Sequence, residues 1–376
     1  MKITLLGGGT GGHFYPLIAI ARELKNIKNE EHIVQMNITL AGDIYPGEEL
    51  LRSEEMSFRR VSAGKFRRYF SLLNMLDIFK TLLGIFKEFW HYTTDPPDII
   101  FSKGGYASFP SLVAARLYKI PVIIHESDAV PGIVNKWTAR FAERVAIAFP
   151  EAVEYFPKEK TALVGNPIRR SLLGGSIEEA LDIFNLEEGI PTILILGGSQ
   201  GAEALNNTVL SALGDLLVSV QIIHQAGPKL YKAVANEAMV ILDRLDKNIK
   251  NRYHVYPFLY EAELRNAAYI SDVIVSRAGA GGIFEIAAWG KPSIIIPLPS
   301  SAGDHQRENA YSYARSGACE ILEQNNLTTH LFQSHIMKIV DNKEVAEKMK
   351  RGAQSFAKID AAKRVAKEIV RLGTHE

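Results

Sequence analysis

Two short apolar runs in this chain each end in a glycine-rich turn. Ile3–Leu6 leads into Gly7-Gly8-Gly9-Thr10-Gly11-Gly12, and Thr192–Leu196 leads into Gly197-Gly198-Ser199-Gln200-Gly201. A stretch with apolar residues at helical spacing follows each turn. A strand, a glycine turn and a helix in that order aim free backbone N–H groups and the positive end of a helix dipole at one point, which suits an anion such as phosphate. The chain has 376 residues, more than one hydrophobic core comfortably organises, so a repeated unit predicts two lobes.

Around each turn the apolar runs form a series. The first is Ile3–Leu6, Ile38–Ala41, Ile99–Phe101, Val122–Ile124 and Val145–Ala148; the second is Thr192–Leu196, Val220–His224, His254–Tyr256, Val273–Val275 and Ser293–Ile296. Unbroken apolar runs separated by amphipathic stretches read as buried parallel strands with crossover helices, the α/β pattern. Glycine and Asn-Pro punctuate the chain at Val164-Gly165-Asn166-Pro167, which places the expected domains at 1–164 and 165–350 with a cleft between them. The Ala-, Lys- and Glu-rich residues near the end predict a closing helix over 351–376 that packs across both lobes.

Composition narrows the class. With 47% hydrophobic and 23% charged residues the chain can build two globular cores, and a formal net charge of +1 gives no reason to expect a nucleic-acid partner. The lone Cys319 has no internal disulfide partner and is expected to be a buried bystander in a reducing compartment. Met1-Lys2-Ile3-Thr4 reads as a strand rather than a secretory leader. The most apolar region, Leu72–Trp90, is interrupted by Asp77, Lys80, Lys87 and Glu88, so no bilayer-spanning helix is expected.

Gly7, Gly9 and Gly12 satisfy G-x-G-x-x-G, but the acid that would hold a dinucleotide ribose about 20 residues on is misplaced, since Asp43 is the first after the next strand. A substrate-facing loop or a plain tight turn are the alternatives. His13 closes the loop. As a neutral imidazole it would accept a hydroxyl proton, and the rival role is a capping or core histidine. His125-Glu126-Ser127-Asp128 follows a strand, and a carboxylate pair for hydrolysis competes there with turn formation and helix capping as the explanation; Lys103-Gly104-Gly105-Tyr106 lies at the same sheet edge, its glycines permitting close approach of a ligand.

In the second series, Ser276-Arg277-Ala278-Gly279-Ala280-Gly281-Gly282 leads into Glu285, taken as a first-turn residue that either caps its helix or accepts hydrogen bonds from a ribose. Asp304–Asn309 is too polar for a buried element and is expected to line a donor pocket. No D-x-D triplet and no zinc spacing occur, so no cofactor or obligatory metal is expected, and a leaving diphosphate would rely on N–H groups, a helix dipole and Arg169.

Arg59–Phe70 holds five basic residues, Arg59, Arg60, Lys65, Arg67 and Arg68, with aromatic neighbours and no acid. It leads into Leu72, Met75, Leu76, Phe79, Leu82, Leu83, Phe86, Phe89 and Trp90, a stripe expected to be mostly core with an exposed fringe for anionic lipid.

Taken in order, Gly8–His13, Gly104-Gly105-Tyr106, His125-Glu126 with Pro131-Gly132 and Asn135-Lys136, Gly165–Arg169, Gly197–Ala202, Arg277–Ala280 and Asp304–Gln306 resemble the bacterial cell-wall N-acetylglucosaminyltransferase family that converts lipid I to lipid II. The likeness spans nearly the whole chain. It implies a GT-B fold of two Rossmann-like parallel-sheet lobes, an N-terminal lobe facing acceptor and membrane, and a C-terminal lobe for the UDP-sugar donor. It implies inverting transfer from UDP-N-acetylglucosamine to the muramoyl C4 hydroxyl of undecaprenyl-linked lipid I, at the anionic inner-leaflet surface on the cytoplasmic face. His13 would be the catalytic base. Thr10, Gly11, Gly12, Arg169, Ser199, Leu259, Ala280, Glu285 and Gln306 would serve the donor, and Tyr106, Glu126 and Asn135 the acceptor. Where the family has His-Glu-Gln-Asn this chain has His125-Glu126-Ser127-Asp128, which leaves Asn135 as the better candidate for a ligand amide.

Other classes share parts of the pattern. A diacylglycerol glycosyltransferase or UDP-sugar 2-epimerase would carry the same glycine turns, a nicotinamide oxidoreductase would use the first alone, and a sugar-nucleotide sensor would not depend on His13.

Overall fold

The computed structural model describes residues 1–8, 11–45, 47–64, 73–198, 201–299 and 302–374, without the side chains of 11, 13, 73, 74 and 302. Its contacts divide the chain into two units, Met1–Arg169 with Lys358–Glu376, and Arg170–Ala357. The expected boundary at 164/165 therefore falls inside the first unit.

In the first unit the order is β1 (Lys2–Leu6), α1 (Gly11–Glu30), β2 (Asn37–Gly42), α2 (Glu48–Ser53), β3 (Ser57–Arg60), α3 (Leu73–Thr94), β4 (Ile99–Ser102), α4 (Phe109–Tyr118), β5 (Val122–Glu126), α5 (Ile133–Thr138), β6 (Arg144–Ile147) and β7 (Thr161–Leu163). The second unit runs α6 (Ile177–Phe184), β8 (Thr192–Leu196), α7 (Glu203–Leu216), β9 (Gln221–Gln225), α8 (Tyr231–Leu242), α9 (Lys247–Lys250), β10 (Tyr253–Tyr256), α10 (Glu261–Ile270), β11 (Val273–Arg277), α11 (Ala280–Trp289), β12 (Ser293–Ile296), α12 (His305–Ala314), β13 (Cys319–Ile321), α13 (Thr329–Val340) and α14 (Lys343–Phe356). A last helix, α15 (Ala361–Gly373), belongs to the first unit.

The strands of the first unit form a seven-stranded sheet in the order β3-β2-β1-β4-β5-β6-β7, and those of the second a six-stranded sheet in the order β10-β9-β8-β11-β12-β13. Every pairing is parallel. Parallel pairing requires crossovers, and the crossovers cover both faces, which is why the central strands read as unbroken apolar runs. The order reverses between β1 and β4 and again between β8 and β11. At such switch points the loops leave the carboxyl ends of adjacent strands in opposite directions and open a crevice for ligand. The repeat extends to detail, for Gly7 N–H donates to Ala41 O (3.2 Å) and Gly197 N–H to Gln225 O (3.1 Å), each tying the turn to the neighbouring strand.

The expected single closing helix over 351–376 is instead the end of α14 and a separate α15. The helix breaks at Ala357, whose φ/ψ of −58°/137° is extended. Helix α14 stays with the second unit, while α15 lays Val365, Ala366 and Ile369 into the core that holds Leu17, Ala21 and Leu24 of α1.

Candidate functional site

In the first unit the carboxyl edge of the sheet gathers most of the acceptor-side candidates. Tyr106 follows β4 and donates its hydroxyl to Asp43 Oδ2 beyond the end of β2. Burial first, and that carboxylate second, push the phenol well above its ordinary range. Asp43 also abuts the first glycine turn, where a Cβ on Gly8 would overlap Asp43 Oδ1 and crowd Ala107. Glycine is needed there for close approach.

Glu126 ends β5 and is 5% exposed. Its carboxylate accepts from Asn135 Nδ2 (2.9 Å), Gly132 N–H (3.1 Å) and Asp128 N–H (3.1 Å). Burial and the Asp128 carboxylate drive its pKa upward against those hydrogen bonds. Asn135, in α5, is buried as well, so Glu126 and Asn135 act on each other as much as on any ligand.

Sequence reasoning named Lys103 only as the start of a glycine loop, with no role of its own. It is 2% exposed, and its Nζ lies 2.7 Å from His125 Nδ1 and 2.9 Å from Asn166 Oδ1. Burial brings its pKa from 10.5 down to about 7, with Glu126 and then Asp128 pulling the other way. The signal available was a lysine inside a glycine loop after a buried strand, without anything to reveal its partners.

Arg169, at the end of the first unit, stacks its guanidinium 4.1 Å from the centre of the Tyr15 ring, which fixes it beside the start of α1. Gly11 and Gly12 open that helix and His13 lies in its first turn. The His13 side chain and all of Thr10 and Ser199 lie outside the described residues.

In the second unit, β11 ends at Arg277 and α11 begins at Ala280, with Gly279 extended at the N-cap and no side chain capping the helix. This corrects the placement of Glu285. It lies in the second turn rather than the first, so it is not the cap of its own helix. Among the described residues, a Cβ on Gly198, Gly279 or Gly281 would meet nothing within 4 Å. Gly198 has φ +81°, which favours glycine independently of space.

Gln306, in the first turn of α12, accepts from Leu298 N–H (3.1 Å) and so shapes the loop after β12. The segment Asp304–Asn309 is not uniformly solvent-facing as its polarity suggested. Asn309 is fully buried and donates to Ala278 O (3.2 Å), tying α12 to the loop after β11. Leu259 is 1% exposed, and its N–H donates to Gln225 Oε1 (3.0 Å).

The apolar stripe of α3 faces the opposite way from expectation. Met75, Leu76, Phe79, Leu82, Leu83, Phe86 and Trp90 are exposed, whereas Gly84, Glu88 and Tyr92 form the buried face. The inward side is polar because Arg59 lies beneath it. Arg59 pairs with Glu88, which also accepts from Ser111 Oγ (2.6 Å). Arg59 is therefore withdrawn from the basic patch. Arg60 remains exposed at the end of β3, while Lys65, Phe66, Arg67, Arg68, Tyr69, Phe70 and Leu72 lie outside the described residues.

Residues 3–147 match the glycosyltransferase family 28 N-terminal domain and residues 192–365 the glycosyltransferase family 28 C-terminal domain. The chain belongs to glycosyltransferase family 28. Within that family it is similar to the UDP-N-acetylglucosamine–N-acetylmuramyl-(pentapeptide) pyrophosphoryl-undecaprenol N-acetylglucosamine transferase of Thermodesulfovibrio yellowstonii, with 38% identity over 97% of each chain. The enzyme of the same name from Clostridium botulinum (strain Loch Maree) is 37% identical over 92% of each. Among solved structures, Acinetobacter baumannii MurG superposes with a TM-score of 0.73 at 26% identity, covering 98% of this chain and 99% of that one. The two parallel sheets of this family 28 chain are thus the GT-B arrangement. A UDP-GlcNAc 2-epimerase from Neisseria meningitidis, solved with UDP-GlcNAc, shares the fold alone, with a TM-score of 0.65, 14% identity, and coverage of 99% and 100%.

Proposed function

We propose that this family 28 glycosyltransferase moves N-acetylglucosamine from UDP-N-acetylglucosamine to the C4 hydroxyl of the muramoyl unit of lipid I, forming lipid II. The observation that carries this is the identity of 38% maintained over 97% of both chains.

In this reading Gly11, Gly12, Thr10, Arg169 and Ser199 serve the donor diphosphate, with the positive helix end at Gly11 and the guanidinium of Arg169 opposing charge that builds on the leaving group. Ala280 opens α11 toward the donor, Glu285 takes the ribose hydroxyls, Gln306 the transferred sugar and Leu259 the uracil. His13 removes the proton from the acceptor hydroxyl as that oxygen attacks the anomeric carbon, and in-line attack inverts the centre. Tyr106, Glu126 and Asn135 hold the acceptor. No metal is required, because N–H groups and Arg169 meet the diphosphate, and no nucleic acid takes part.

The lipid acceptor implies work at an anionic membrane surface on the cytoplasmic face, and the exposed apolar side of α3 suits that surface. No helix among the described residues is long and apolar enough to cross a membrane. Docking by α3 places Met75, Phe79, Phe86 and Trp90 against acyl chains, with Lys80, Lys87 and Arg60 at headgroup level, each cation contributing about 1 kcal/mol near a charged surface.

Radiolabelled UDP-N-acetylglucosamine supplied with lipid I, with diacylglycerol and with no acceptor tests the assignment. Label is expected in lipid II alone. Transfer to diacylglycerol, or epimerisation of the donor without transfer, would overturn it.

A further inference from the structure

The Lys103 cluster has a defined proton arrangement. A carbonyl oxygen only accepts, so the 2.8 Å contact between His125 Nε2 and Gly165 O places the ring proton on Nε2. Nδ1 of the neutral ring is then a lone-pair acceptor, and the 2.7 Å contact from Lys103 Nζ is a donated hydrogen bond. A second N–H of Lys103 goes to Asn166 Oδ1. One side chain from the end of β4 thereby joins the end of β5 to the segment that runs on to Arg169.

The next residues along these elements carry the acceptor-side groups. Gly104, at φ +76°, packs so closely on Asn135 that a Cβ would overlap its Oδ1. His125 precedes Glu126, whose carboxylate is held by Asn135, Gly132 and Asp128. The positive charge that a protonated Lys103 brings into this buried place is opposed by the carboxylates of Glu126 and Asp128. Taking Lys103 away removes both the hydrogen bonds and the counter-charge.

We infer that Lys103 is a positioning residue for the acceptor, holding His125 and Asn166 so that Glu126, Asn135 and Tyr106 keep their places. This rests on the functional reading above and adds to it one residue with no role there.

Lys103→Met and Lys103→Gln test it, with KM measured separately for lipid I and for UDP-N-acetylglucosamine. Lys103→Met is expected to raise KM for lipid I about tenfold or more, with KM for the donor unchanged, because two buried acceptors lose their donor. Lys103→Gln, whose amide N–H still donates, is expected to recover part of that loss. Equal rises in both KM values, or unchanged kinetics, would overturn the inference. If Lys103→Met does not fold, a Lys103→Gln variant that folds with a raised KM for lipid I alone supports it; failure of both to fold makes Lys103 a stability residue and ends it. A readout without substrate keeps the two levels apart. In nitrogen NMR of histidine-labelled protein, the Nδ1 resonance of His125 is expected to move on Lys103→Met. An unmoved resonance rejects the inference even in an enzyme that makes lipid II, and a moved one sustains the contact even if the acceptor proves to be another lipid.

Discussion

Glu88 of α3 is ion-paired with Arg59 of β3 underneath a helix whose outer side is apolar. The pair anchors α3 by its polar face, so the helix keeps phenylalanines and a tryptophan turned to the outside without relying on them for its place. Arg59 and Glu88 side chains are 15% and 5% exposed, so breaking the pair strands a buried charge. Arg59→Met is expected to cost about 3–5 kcal/mol in denaturant unfolding, and Arg59→Met with Glu88→Met distinctly less. A single variant as stable as wild type would show that the pair does not anchor the helix.

The exposed side of α3 predicts a separation between stability and membrane binding. Phe79→Ser with Phe86→Ser removes two side chains that are 63% and 67% exposed. Co-sedimentation with anionic vesicles is expected to fall severalfold while the thermal midpoint hardly moves, since surface changes typically stay within about 0.5 kcal/mol. Equal vesicle binding by both proteins would leave the docking proposal without its surface.

His13→Ala is expected to lower kcat by about 10²–10⁴, the range for a lost general base, with the dissociation constant of UDP little altered. Rapid-quench transfer assays and calorimetric titration with UDP measure the two quantities. Retained turnover would remove His13 from the mechanism.

If, as proposed, N–H donors and Arg169 meet the diphosphate, excess chelator is expected to leave the rate of transfer unchanged. Loss of activity that returns on adding a divalent cation would reverse that assignment.

Stability should depend on pH through Lys103. In the fold burial holds its pKa at about 7, against 10.5 in the open chain. Between those values the unfolded chain binds more protons, so stability rises with pH across that window; below it both forms are protonated and the cost of burying the charge is present in full. Glu126 is displaced in the opposite sense, upward from 4.5, and acts at lower pH. Lys103→Met should flatten the rise in urea midpoint between pH 7 and the alkaline limit of lysine titration. A slope identical to that of wild type would mean that Lys103 titrates normally.

The parts legible in the sequence were those that burial on both faces makes repetitive. Ile3–Leu6, Thr192–Leu196 and Ser293–Ile296 are interior strands, built of apolar residues with one small hydroxyl residue each, Thr4, Thr192 and Ser293. The strands passed over, β3 (Ser-Phe-Arg-Arg), β7 (Thr-Ala-Leu) and β13 (Cys-Glu-Ile), all lie at sheet edges, where half the surroundings are polar and no apolar run is needed. Helix α3 shows the limit of periodicity. Spacing identified the apolar stripe, but only the partner of Glu88 decides which stripe turns inward. At the site, the loops could be named because glycines mark close approach, whereas the contact of Lys103 with His125, 22 positions apart, exists only once β4 and β5 lie side by side.

Helix α15 finishes a core whose other members all lie between Ile3 and Val164, α1 among them. As the polypeptide leaves the ribosome, α1 therefore waits with one flank bare until α15 has been made, while Arg170–Ala357 is contiguous and has its partners at hand earlier. The unit made second is the one able to mature first, and a premature stop just ahead of Ala361 would injure the first unit rather than the second.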